Sequence, residues 1–296
     1  MDGGRVGLAP GPAVRPARST ATHPQGEFPV KRHEFLRGLH KASANRNYLE
    51  IGVNDGRSLT FSRVPSIAID PAFKVVSEIR CDVHLAKATS DDFFARENPL
   101  QHLKGGRHPL RNIVRNRSPF GYWKDVTLDL AFIDGMHLFE YALRDFINVE
   151  KYSDWASVIV FDDMLPRNVD EAARDRHTNA WTGDVYKVIE VLNRYRPDLV
   201  TVLVDTEPTG QLVVFGADPT NTVLKDKYDE IIAEYVVPDP QKVPETVLER
   251  TVAIKPETLI DAAFWKPLVN ARNRGSKRDR SWEHLRTSLK QLSDAG

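Results

Sequence analysis

Cysteine is almost absent: Cys81 is the single thiol in 296 residues. One cysteine excludes an internal disulfide framework and fits a reducing compartment, with Cys81 read as a half-buried structural thiol. Also missing is any run near the roughly 20 apolar residues of a membrane-spanning helix. The first thirty residues carry Gly, Pro, Arg and Thr without the continuous apolar stretch of a secretory signal. Neither charge sign is in excess, because 41 basic and 41 acidic residues cancel. No global field therefore draws the chain onto nucleic acid or an anionic membrane. These absences predict a soluble, cytoplasmic protein whose partners are recognised locally.

What is present suffices for a sizeable core. Hydrophobic content of 41%, charged content of 28% and 19 prolines are ordinary for a globular chain. A chain of this length buries about three quarters of its unfolded surface. Residues 1–30 are aperiodic and rich in Gly, Pro and Ala, which predicts a flexible tail. Residues 31–217 read as one α/β domain carrying an insertion at 97–127, and residues 218–296 as a helical extension.

Two apolar runs organise the domain, Leu128 to Asp134 and Val158 to Met164, each ending in acid. Uninterrupted branched runs separated by a helical stretch read as parallel strands covered on both faces. Asp134, Asp162 and Asp163 then meet at the carboxyl edge of the sheet, where open α/β sheets bind ligands. Earlier strands are predicted at Asn47–Val53, Ser66–Asp70 and Val83–Ala88, with turns opening helices between them. The runs Leu199–Asp205 and Gln211–Gly216, separated by a Pro- and Gly-containing turn, predict an antiparallel hairpin closing the sheet. The predicted fold is a Rossmann-like, mostly parallel seven-stranded sheet with helices on both faces.

The loop after the first strand, Glu50-Ile-Gly52-Val-Asn54-Asp-Gly56, places glycines where backbone passes close to a ligand. A dinucleotide site would carry G-x-G-x-x-G, whereas Asn54 replaces the middle glycine and Gly56 comes one residue early. Taken alone, the loop fits a nucleotide turn or a plain strand-to-helix turn. Asp70, ending the second strand, can accept both hydroxyls of a ribose or simply shape the turn before Pro71.

Together these residues resemble the class I S-adenosylmethionine-dependent methyltransferases. The resemblance rests on Leu49–Ser58, the acid of Ile67-Ala-Ile-Asp70, the turn Thr89-Ser-Asp91, and Phe132-Ile-Asp-Gly-Met-His137 with Tyr141 and Asp145 behind it. The last motif is most similar to the small-molecule and sugar O-methyltransferases, and the likeness covers about Phe35 to Gly216. It departs at Ser153–Ser157, where relatives carry a Gly-Gly turn.

The resemblance implies that Glu50, Gly52, Asn54, Gly56 and Ser58 line the methionine end of S-adenosylmethionine. It further implies that Asp70 holds the ribose, that Ser90 and Asp91 flank the adenine, and that Asp134 touches the cofactor. Asp134, Asp162 and Asp163 match the positions that hold a divalent cation in metal-dependent members, and hard carboxylate oxygens suit Mg²⁺ or Mn²⁺. His137 is the expected base for the acceptor hydroxyl, with His177 a weaker substitute. The expected activity is metal-assisted O-methylation of a small polar hydroxylated molecule, such as a sugar or glycosylated natural product.

Two other readings share parts of this pattern. An NAD-dependent oxidoreductase would use the same strand, loop and acid. A non-catalytic assembly module would use the basic insertion and the helical extension, which could pack on the core or join two subunits. The insertion holds Lys104, Arg107, His108, Arg111, Arg115, Arg117 and Lys124, and reads as a solvated segment or an anion-binding lid. The loop from Pro166 to about Thr182 is expected to select substrate.

Overall fold

The computed structural model describes residues 29–104, 126–275 and 278–293. Most of the predicted tail, and Arg107 through Lys124 of the basic insertion, lie outside the described residues.

The predicted sheet is present. Seven strands, β1 (Tyr48–Ile51), β2 (Ser66–Ile69), β3 (Val83–Ala86), β4 (Leu128–Ile133), β5 (Ser153–Phe161), β6 (Val200–Val204) and β7 (Gln211–Phe215), lie in the order β3-β2-β1-β4-β5-β7-β6. The first five run parallel, and β7 is antiparallel to both β5 and β6. Every residue of β1, β2 and β4 is buried, as expected of strands covered on both faces. The apolar side chains form two cores. One lies beneath the helices Phe139–Glu150, Lys187–Tyr195 and Tyr228–Tyr235. The other lies beneath the helix Arg32–Ser43 and the C-terminal helices.

Register carries the fold to the site. Ile51 pairs with Ile69 and Ile133, and Ile133 with Phe161. The next residue on each strand therefore stands on one line, which gathers Gly52, Asp70, Asp134 and Asp162 at a single edge. The chain order reverses between β1 and β4, so this is the switch point where such sheets open a crevice.

Several local expectations need correction. The loop after β1 opens only a 3₁₀ turn, Ser58–Phe61, because Pro65 and the bonded Ser62–Ser66 hydroxyl pair start β2 at once. No helix joins β2 to β3. Residues Ser153–Ser157, expected as a loop, belong to β5. There Ser157 Oγ donates to Leu128 O, Asp154 N–H donates to Ser157 Oγ, and Ala156 N–H donates to Asp154 Oδ1. These bonds stabilise an irregularity in which the register shifts between Leu128 and Leu130.

The extension packs on the core of its own chain. Trp282, Leu285 and Leu289, from the helix Arg278–Ser293, are buried against the second core. Gly216, at φ +85°, ends β7 where an added Cβ would lie 2.2 Å from the Trp282 ring. No helix among the described residues is long and apolar enough to cross a membrane. Removing a buried indole costs about 3 to 5 kcal/mol. Trp282→Ala should lower stability by that amount in equilibrium urea unfolding, whereas an extension merely tethered to the domain would leave the midpoint unchanged.

Candidate active site

Above the aligned strand ends lies a cavity of about 1060 Å³. Gly52, Asn54, Ser58, Asp70, Ser90, Asp91, Asp134, His137 and Asp163 all line it. Glu50, Gly56 and Asp162 are not among its lining residues.

Gly52 makes the crevice possible. Its φ is +86°, and an added Cβ would fall 1.8 Å from the Asp134 carbonyl oxygen, so only glycine lets the β1 loop pass the end of β4. Asp70 braces that loop: Oδ2 accepts the N–H groups of Val53 and Asn54, both at 2.9 Å, and Oδ1 accepts that of Ala72 at 2.6 Å. A carboxylate has about four acceptor positions, so capacity for about one ligand hydroxyl remains.

Glu50 is placed differently from its expected contact with a ligand. It is fully buried and accepts hydrogen bonds from Tyr48 Oη and Ser58 Oγ, each at 2.7 Å. Burial pushes its carboxyl up to about 7, against the pull of those two bonds. Glu50 thus braces the loop from beneath, and Ser58 joins it to the cavity wall.

On the far side of the loop, Ser90 Oγ donates to Asp145 Oδ1. Burial raises the Asp145 carboxyl to about 7. Asp91 receives both arms of Arg144, at 3.0 and 2.7 Å, and that guanidinium lies 4.6 Å from the Tyr141 ring centroid. Arg144 was not anticipated from the sequence.

The three acids at the strand ends divide into two groups. Asp134, His137 and Asp163 each offer one ligand atom, all within 4.8 Å of one another. Asp162 stands outside that group, with its side chain only 1% exposed and bonded to Arg32. Arg32 Nη1 also lies 3.9 Å from Asp134 Oδ2. Burial first, then repulsion by Asp162 and Asp163, holds the Asp134 carboxyl well above the usual range. Burial and the Asp163 charge raise Asp162 to about 7, with Arg32 opposing. Attraction to Asp162 drives the Arg32 guanidinium further towards protonation.

His137 is fixed by the long loop. Its Nδ1 lies 2.8 Å from Trp181 O and 3.2 Å from Asp163 Oδ2. Two acceptors at one nitrogen assign the proton to Nδ1, leaving the neutral ring's lone pair on Nε2, 3.7 Å from Asp134 Oδ1. The Trp181 ring stacks on the imidazole at 5.3 Å and 9°. Gly183, at φ +61°, permits this approach, since an added Cβ would lie 1.6 Å from His137 O. Asp184 Oδ1 then accepts the Phe139 N–H at 2.8 Å, capping the helix that follows the histidine. His177 is half exposed and bonds Asp175 O from its own loop.

Residues 49–164 match the family model described as Methyltransferase domain. That stretch runs from β1 through the acids after β5 and bears out the resemblance to S-adenosylmethionine-dependent methyltransferases. No curated protein matches the chain. Among solved structures, an O-methyltransferase from Bacillus cereus in complex with SAH is similar at 14% identity and TM-score 0.37, covering 65% of this chain and 84% of that one. The O-methyltransferase TomG from Streptomyces achromogenes, in complex with SAM, is similar at 15% identity and TM-score 0.36, covering 63% and 80%. The MycE methyltransferase of the mycinamycin biosynthetic pathway, with Mg and SAH, is similar at 14% identity and TM-score 0.33, covering 62% and 49%.

The raised Glu50 carboxyl gives stability a pH dependence of definite sign. The folded state holds this proton more tightly than the unfolded chain, whose value is 4.5. The contribution is complete below 4.5 and is lost as pH rises through about 7. Glu50→Gln cannot ionise, so it should be more stable than the wild type at pH 8 by about 3 kcal/mol. In urea unfolding the gap should close towards pH 4.5, and a gap independent of pH would exclude a buried, proton-binding Glu50.

Proposed function

We propose that the chain is an S-adenosylmethionine-dependent O-methyltransferase, assisted by a divalent cation, that methylates a hydroxyl of a small polar molecule such as a sugar or glycosylated natural product. One observation carries this reading. A single cavity holds the β1 loop, Asp70 and the Ser90–Asp91 turn on one side, and Asp134, His137 and Asp163 on the other.

The residues present fit both groups. A loop with Gly52 at its closest approach, ahead of an acid at the end of β2, suits a nucleoside with its pendant amino acid. The carboxylates of Asp134 and Asp163 would hold the cation, since hard oxygen ligands suit Mg²⁺ or Mn²⁺ and two carboxylates plus substrate are common for Mg²⁺. When bound, S-adenosylmethionine supplies an electrophilic methyl carbon, and the cation supplies Lewis acidity towards the hydroxyl.

The chain's own groups do the rest. Methyl transfer forms a C–O bond as a C–S bond breaks, so the acceptor must lie in line with the sulfonium and must lose its proton. Positioning contributes about 7 to 11 kcal/mol, and a general base about 10² to 10⁴ in rate. The Nε2 lone pair of His137 receives the proton at the cavity surface. Trp181 O and Asp163 would then stabilise the resulting positive charge by accepting Nδ1–H. Asp163 is itself held by the hydroxyl of Thr209, at 2.5 Å.

Calorimetry should detect S-adenosylmethionine binding with or without Mg²⁺, and little binding of NADH. Absence of cofactor binding would end this reading. Asp163→Ala should abolish turnover on a pool of hydroxylated acceptors while leaving cofactor affinity within about threefold. His137→Ala should lower kcat by about 10² to 10⁴ while leaving cofactor affinity within about threefold.

A further inference from the structure

Asp162 stands out among the three acids. One carboxylate oxygen is bonded to Arg32, while the other, Oδ1, is buried with no hydrogen-bond partner. A buried carboxylate oxygen without a donor is costly, and it suggests a ligand sphere only partly used. Meanwhile the adjacent Asp163 turns away. Its φ of +60° swings the chain so that its side chain meets Thr209 and His137 in the cavity.

Arg32 reaches Asp162 because its backbone is strapped in place. Its N–H donates to Glu207 O at 2.9 Å, and Glu207 N–H donates to Val30 O at 2.9 Å. The helix that begins there is anchored by buried Phe35, Leu36 and Leu39. Its side chain remains 32% exposed and lines the cavity, so the guanidinium has a path towards solvent.

We infer that Arg32 is an internal competitor for the divalent cation, holding Asp162 out of the ligand set and placing a positive charge beside Asp134. This rests on the reading of Asp134 and Asp163 as cation ligands. A cation held by two carboxylates beside a guanidinium binds weakly on its own and gains from the acceptor hydroxyl. With Arg32 removed, Asp162 is free to become a third oxygen ligand and the local repulsion disappears.

The test is calorimetric titration of Mn²⁺ into the full chain without acceptor. Arg32→Gln should bind Mn²⁺ at least about tenfold more tightly than the wild type, from the charge removed. Arg32→Lys keeps the charge and should stay within about threefold of the wild type. The double variant Arg32→Gln/Asp162→Asn should return close to wild-type affinity, because neither the competitor nor the carboxylate it withholds remains. Should Arg32→Gln fail to fold, as judged by its thermal melt, Arg32→Met keeps the aliphatic stem and serves the same purpose. Wild-type binding with no tightening in the neutral variant overturns the role of Arg32 and leaves the cation reading standing. Loss of binding in the double variant would make Asp162 a ligand and overturn its separation from the site. Failure of every variant to bind Mn²⁺ overturns both readings.

Discussion

Parallel pairing of β4 with β5 aligns Ile133 with Phe161, and so sets carboxylates from two neighbouring strands into one buried corner. Their repulsion is the constraint that the surroundings answer. Water cannot fully solvate Asp162, and both Asp134 and Asp162 resist ionisation. Arg32 supplies positive charge to Asp162, the Thr209 hydroxyl donates to Asp163, and the His137 ring adds Nδ1–H to the same oxygen pair. Each comes from a different part of the chain.

The sheet was legible because strands buried on both faces must be apolar throughout, and runs such as Leu128–Ile133 leave little choice of structure. The acids were legible for the same reason, since a charge directly after such a run can only sit at the sheet edge. Less visible was the true start of β5. Ser153, Asp154 and Ser157 look like loop residues, but their side chains bond neighbouring backbone and so substitute for part of the ladder. The helix expected after β1 was read from the tight turn at Asn54–Thr60, but Pro65 leaves room only for a 3₁₀ turn before β2.

Arg32 could not have been found from spacing, because its partner is 130 residues away in sequence. Trp181, Gly183 and Asp184 carried a faint signal, a Gly followed by an acid just before a helical pattern. The loop ending at about Thr182 was expected to select substrate, and its part in holding His137 was not foreseen. In the structure the loop fastens itself first: Thr182 and Gly183 both donate N–H to Glu171 O, and the Trp181 indole donates to Ala173 O. Arg174 then joins Glu140 to the fully buried Asp184. A loop this internally bonded is suited to holding an imidazole in one tautomer, and its exposed arm is left to face whatever enters the cavity.

The closing hairpin joins these requirements. Its turn contributes Glu207, whose backbone holds Arg32 in place, and Thr209, whose hydroxyl holds Asp163. Leu165 N–H also donates to Thr209 O at 2.6 Å, so the chain leaving β5 runs back along the same turn. One short segment therefore sets the separation between the positive and negative halves of the site. An antiparallel β7 is needed for this: it brings the β6–β7 turn to the carboxyl edge beside β5, where a further parallel strand would have delivered only its own end.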